Sequence, residues 1–165
     1  MKNKIIFLVS IIVFIVDIIS KILVSNFMLE DQSIKIINNF LYFTYAKNTG
    51  IAFSFLEGNM LFIISMTLII VVLLIKYVYN KKLDLKEKIS YGLVLGGAIG
   101  NLFDRIIYGY VIDFIDVYIF GYDYPIFNVA DSCVVVGIIL ILLLSFKSEG
   151  SEKDEVNSRK TRKNR

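Results

Sequence analysis

The chain reads as a membrane α-helical protein with four transmembrane helices, a small external antiparallel β-sheet and both termini in the cytoplasm. Three observations predict this. The 165 residues are 56% hydrophobic with a mean hydropathy of +0.68, too apolar for an ordinary soluble domain of this length. The apolar residues gather into four runs, 5–24, 61–79, 89–107 and 128–146, each near the ~20 residues that cross ~30 Å of hydrocarbon. The basic residues fall in alternate gaps between those runs, as the positive-inside rule requires of a multi-pass protein.

The first run is longer than the apolar region of a signal peptide. Asp17 and Lys21 interrupt it, and no small-residue cleavage site follows, so it reads as a retained span. Lys2 and Lys4 precede it; Lys76, Lys81, Lys82, Lys86 and Lys88 flank the 80–88 connection; Lys147, Lys153, Arg159, Lys160, Arg162, Lys163 and Arg165 follow the last run. The 26–60 and 108–127 segments hold only Lys35 and Lys47. Those two segments are therefore placed outside, with the even number of spans in agreement.

Within 26–60, the runs 33–37, 40–45 and 51–55 are rich in Ile, Phe, Tyr and Thr and are separated by Asn38-Asn39 and Asn48-Thr49-Gly50. They predict a small antiparallel sheet on the membrane interface, the alternative being an irregular loop with aromatic anchors. In the third run, Gly96, Gly97 and Gly100 put small residues where helices pack closely in lipid. Pro125 suits the approach to a helix, and Asn128 suits its N-cap. Residues 1–147 form one membrane domain. Residues 148–165 lack an apolar period and predict a disordered basic cytoplasmic tail, attracted to anionic phospholipid rather than to nucleic acid.

There is no His and a single Cys, Cys133. Imidazole bases, Ser-His triads, His metal sites and internal disulfides are thereby excluded, and no metal or other cofactor is expected. Chemistry must rest on carboxylates, Lys, Ser, Asn or the backbone. The conspicuous candidates are Asp17, Asp104, Asp113 and Asp131, which sit in or beside greasy segments although an ionised carboxylate at the centre of a span costs about 2.5–3.5 kcal/mol on insertion scales.

Asp17 and Lys21 form an i, i+4 pair in the favoured order, suited to mutual support or to tuning a nearby carboxylate. Asn101, Asp104 and Arg105 follow the glycines of the third run; they suit either a polar girdle that orients the external loop or direct catalysis. Asp113 ends a β-like run, and Asp131 lies three residues after Asn128 on one helical face. Two carboxylates brought together share one proton, so one serves as base toward water while the other polarises a carbonyl. Two unrelated membrane-surface acids would show the same spacing. A carrier or channel subunit is the rival class, but its acids should spread through the membrane depth.

Five stretches in order resemble one family: Asp17-Ile-Ile-Ser-Lys21, Asn48-Thr-Gly50-Ile-Ala-Phe53-Ser54, Gly96-Gly-Ala-Ile-Gly-Asn101-Leu-Phe-Asp104-Arg105, Val111-Ile-Asp113-Phe114 and Pro125-Ile-Phe-Asn128-Val-Ala130-Asp131-Ser132. They resemble the bacterial lipoprotein signal peptidases (signal peptidase II, prolipoprotein signal peptidase). The resemblance implies a four-span aspartyl endopeptidase of the cell membrane with an external β-cradle and a short external helix or loop. It would cut the signal peptide from a diacylglyceryl-modified prolipoprotein just before the lipidated cysteine. The catalytic pair carries over to Asp113 and Asp131, with Asp104 as an alternative to Asp113. Asn48, Gly50, Asn101, Arg105, Asn128 and Ala130 match positions that support the site or contact substrate. Ile18 and Ser20 depart from the family's usual Gln and Thr. A monomer is expected, since no separate dimerisation face stands out.

Overall fold

The computed structural model describes residues 3–50 and 58–163, with side chains through residue 147. In chain order the elements are α1 (Lys4–Phe27), β1 (Ser33–Ile37), β2 (Leu41–Asn48), α2 (Met60–Asn80), α3 (Leu85–Tyr108), β3 (Val111–Ile119), β4 (Tyr122–Asp123) and α4 (Val129–Lys163).

The helices are inside-out by the standard of a soluble protein. On α1 the buried stripe is Ile6, Ser10, Val13, Asp17, Lys21 and Val24, repeating every three or four residues. Leu8, Ile11, Ile12, Ile15, Val16 and Ile19 are all exposed. Polar groups point inward and aliphatic ones outward, the arrangement lipid selects. By length and apolarity α1, α2 and the 129–147 part of α4 are each able to cross a membrane. The sequence predicts a fourth span at 89–107; a helix is present there, but α3 is not apolar enough to qualify. Its glycines, Asn101, Asp104 and Arg105 lower its hydropathy because the other three helices surround it.

Close approach makes that packing possible. A Cβ on Gly96 would lie 2.7 Å from the Ser10 carbonyl oxygen of α1, and one on Gly97 would run into the Ala130 carbonyl oxygen of α4. The α3 helix begins at an Asp84–Glu87 capping box and ends at Gly109, whose φ of 76° allows its N–H to reach the Arg105 carbonyl. On the α2 side, Ile6, Val71, Val78, Leu83 and Leu95 form one apolar core.

The strands form one antiparallel sheet in the order β1-β2-β3-β4. The sequence predicts β1 with its observed bounds and places β2 within a few residues. The predicted third strand, 51–55, lies outside the described residues. The strand that pairs with β2 is β3, from the second external segment, with Ala46 opposite Asp113 and Asn48 opposite Val111. Asp113 therefore stands third in a nine-residue strand, not at the end of a run. A bulge between Phe43 and Ala46 shifts the register beside it and re-aims the side chains there. Val24, Tyr45, Ile112 and Phe114 pack the sheet onto the end of α1. Among the described residues there is no short external helix, and the 108–127 connection is largely β-structure. At the other end, α4 continues to Lys163, where the sequence predicts a tail without regular order. The tail contains no proline and many Glu, Lys and Arg residues, all good helix formers.

Candidate active site

An ion cluster forms where α1 meets α3. The Lys21 ammonium lies 2.7 Å from Asp17 Oδ2, 2.9 Å from Asp104 Oδ2 and 2.9 Å from Asn101 Oδ1. Three acceptors match its three donors, and the lysine is 1% exposed. Asp17 uses its other oxygen to accept from the Ala130 N–H at 2.9 Å, so α1 caps the first turn of α4. Asp104 Oδ2 also accepts from the Ile112 N–H at 3.2 Å, which ties α3 to the start of β3. The helical spacing legible in the sequence has become a joint between three elements.

Asn128 and Asp131 form a reciprocal cap at the head of α4. Asn128 Oδ1 accepts from the Asp131 N–H at 2.9 Å, and Asp131 Oδ2 accepts from the Asn128 N–H at 3.2 Å. The same Asn128 amide donates 2.7 Å to Asp113 Oδ1 and 3.1 Å to Asn101 Oδ1. Asn101 Nδ2 in turn donates 2.7 Å to Asp131 Oδ1. Its orientation is fixed because Lys21 and Asn128 both donate to its oxygen. Asp113 Oδ2 accepts from Asn48 Nδ2 at 2.9 Å, while Asn48 Oδ1 accepts from the Gly50 N–H. Arg105 closes the network, donating to the Gly50 carbonyl at 2.7 Å and to the Asn101 carbonyl at 3.3 Å.

One side chain, Asn128, thus holds both Asp113 and Asp131. Asp113 is 2% exposed. Burial is the main cause that pushes its carboxyl up to about 7, with the Asp131 charge adding to it and the Asn48 and Asn128 hydrogen bonds opposing. A carboxyl that is protonated near neutral pH beside a second carboxylate is suited to paired acid and base work.

A family model described as signal peptidase (SPase) II matches residues 9–147. The chain belongs to the signal peptidase II family. It is 38% identical over 149 residues to a lipoprotein signal peptidase of Staphylococcus aureus, covering 90% of this chain and 91% of that one. The corresponding protein of the bovine strain RF122 is 37% identical over the same length. A solved bacterial membrane enzyme superposes with a TM-score of 0.83 at 36% identity, covering 88% of this chain and 90% of the other. A second solved bacterial membrane enzyme gives 0.78 at 37% identity, covering 86% and 92%. As a signal peptidase II family member the chain is a membrane protease.

In this signal peptidase II family member the sequence-predicted residues come together. Asp17, Lys21, Asn48, Gly50, Asn101, Asp104, Arg105, Asp113, Asn128, Ala130 and Asp131 all belong to one connected hydrogen-bond network. Sequence reasoning passed over Asp116 and Thr44. Asp116 is 6% exposed and accepts from Thr44 Oγ1 at 2.6 Å across the β2–β3 ladder. Its signal was available: a second acid three residues after Asp113, inside an otherwise apolar run.

Proposed function

We propose that this protein is an aspartyl endopeptidase that removes signal peptides from diacylglyceryl-modified prolipoproteins, cutting just before the lipidated cysteine. The observation that carries this reading is the Asn128 side chain, which accepts from the Asp131 N–H and donates to the Asp113 carboxyl. The substrate comes from the relatives, which are named lipoprotein signal peptidases.

In this mechanism a water sits between the two carboxyls. Asp131 takes a proton from the water as its oxygen attacks the scissile carbonyl carbon, and Asp113 gives its proton to the carbonyl oxygen. The tetrahedral diol then collapses: Asp131 passes its proton to the leaving nitrogen, Asp113 recovers one from the diol, and the C–N bond breaks. Water is consumed, and the dyad returns to its starting proton count. Asp104 fits the acid role less well than Asp113. Its Oδ2 already takes Lys21 and the Ile112 N–H, whereas Asp113 shares Asn128 with Asp131.

The same reading has α3 cross the membrane with α1, α2 and α4, both termini in the cytoplasm and the sheet outside, as the distribution of lysine and arginine supports. The dyad then stands near the outer leaflet, where a lipidated substrate presents its bond and water is at hand. An extended substrate segment would bind beside the sheet through backbone hydrogen bonds. The enzyme works as a monomer in a phospholipid boundary.

The test supplies the purified protein with one precursor in two forms, with and without the diacylglyceryl group, and identifies products by mass. Cleavage of the modified form alone, with the lipidated cysteine as the new N-terminus, is expected. Cleavage of neither form, or at another bond, would overturn the proposal.

A further inference from the structure

The strand register places two turns side by side. Leu41 lies opposite both Ile37 and Val117, and the Tyr118 N–H donates to the Phe40 carbonyl at 2.8 Å. The β1–β2 turn and the β3–β4 turn therefore share one end of the sheet. Asn48 and Asp113, opposite Val111 and Ala46, belong to the other end. At about 3.3 Å per residue, Phe120 stands roughly 20 Å along the strand from Asp113.

The path of β3 fixes where the turns project. The strand starts beside the α3 cap at Gly109 and packs Ile112 and Phe114 with Val24 in the last turn of α1. It then pairs Ile115 with Phe127, just before α4. The strand thus crosses the ends of three helices, and the residues beyond Ile115 reach past them. The lipid-facing surface of α1 runs on to the same level through exposed Phe27 and Leu29.

Both turns are apolar. Ile36, Ile37, Phe40, Ile119, Phe120 and Tyr122 are all exposed, and neither 36–40 nor 119–122 contains a charged residue. Exposed apolar clusters of this kind mark an interaction surface.

Phe120 says most about the partner. Ile119 pairs with Tyr122, so Phe120 and Gly121 form a two-residue turn with φ values of 51° and 81°. Positive φ at both positions favours Asn-Gly, and the neighbouring turn does place Asn39 at its positive φ of 56°. A phenyl ring at such a position strains the backbone, and nothing among the described residues covers it. Burial in a bilayer would offset the strain. Aromatic rings are favoured at the boundary of headgroups and acyl chains, and these turns carry no charge to desolvate there.

We propose that the two turns dip into the leaflet nearest the dyad, with Phe120 at the tip. Lipid then holds the sheet at the end remote from Asp113, while the helices hold it at the near end. The proposal requires helices that span lipid and does not depend on the catalytic reading.

The chain has no Trp, so one introduced Trp reports its own surroundings. Phe120→Trp and Tyr122→Trp are reconstituted in phosphatidylcholine vesicles and compared with Leu68→Trp, an exposed position midway along α2. The quenchers are lipids brominated high on the acyl chain, lipids brominated near its end, and acrylamide in the water. Both tip variants should lose about half of their emission to the shallow bromines, less to the deep ones and little to acrylamide. Leu68→Trp should show the opposite order for the two bromines. Tyr122→Trp, placed in β4, keeps the test decisive if Phe120→Trp does not melt like wild type. Emission from the tip variants that acrylamide quenches and bromines do not would put the turns in water and overturn the proposal. Blue-shifted emission that no quencher reaches would put them against protein and overturn it equally.

Discussion

Raising the pH should switch this enzyme off through Asp113, and removing Asn48 should move the switch. Asp113 rises from 3.8 to about 7 in the fold, a change of about three pH units that corresponds to roughly 4 kcal/mol favouring its protonated form. The sign follows directly. On the proposed mechanism, the carboxyl below about 7 keeps the proton it gives to the scissile carbonyl; above it the proton is lost and kcat/KM should fall about tenfold per pH unit. Asn48 donates to Asp113 Oδ2 at 2.9 Å and so favours the ionised form. In Asn48→Ala that help is gone and the alkaline limb moves to higher pH. A hydrogen bond to a charged group is worth about 1.5–3 kcal/mol, but Asn48 is only half-buried and water replaces part of it. A shift of about 0.5–1 pH unit results. The assay is a pH profile of kcat/KM between pH 5 and 9 on a lipidated precursor in detergent, with stability checked at each pH. A flat profile to pH 9, or a limb that moves down in Asn48→Ala, would refute the assignment of Asp113 as the acid.

Lys21→Met leaves Asp17 and Asp104 buried without their cation; breaking such a cluster costs about 3–5 kcal/mol, read as a thermal midpoint lower by on the order of 10 °C. Gly97→Val should prevent close packing of α3 on α4, because its Cβ would meet the Ala130 carbonyl oxygen and lie 2.8 Å from Val134 Cγ2. Gly109→Ala, with open space but a φ of 76°, should lose only about 1–2 kcal/mol; equal losses at the two glycines would contradict this packing account. Because the chain has no His and no group of three or more metal-binding side chains occurs among the described residues, EDTA should leave the cleavage rate unchanged, and inhibition restored by a divalent ion would count against a metal-free dyad.

Local signals were the legible ones. The Asp17–Lys21 pair and the Asn128 cap each span a single helical turn, so spacing alone finds them. The run 33–37 announced β1 by its β-branched residues. Long-range pairing was not written locally. Nothing in 111–119 says that it pairs with 41–48, and Asp113 and Asp116 break the apolar run that marks a strand. Nor does Lys21 announce that its third partner is Asn101, eighty residues on. Helix α3 illustrates a general difficulty: a helix surrounded by other helices carries glycines and polar residues, and so gives the weakest hydropathy signal where it matters most to the site.

The most direct test is single-turnover cleavage of a diacylglyceryl-modified precursor by Asp113→Asn, Asp131→Asn and Asp104→Asn proteins that melt cooperatively. Paired acid and base catalysis predicts a loss of at least about 10³-fold in each of the first two. Asp104→Asn, which disturbs only support, should lose less. Full activity in Asp113→Asn together with an inactive Asp104→Asn would contradict the account.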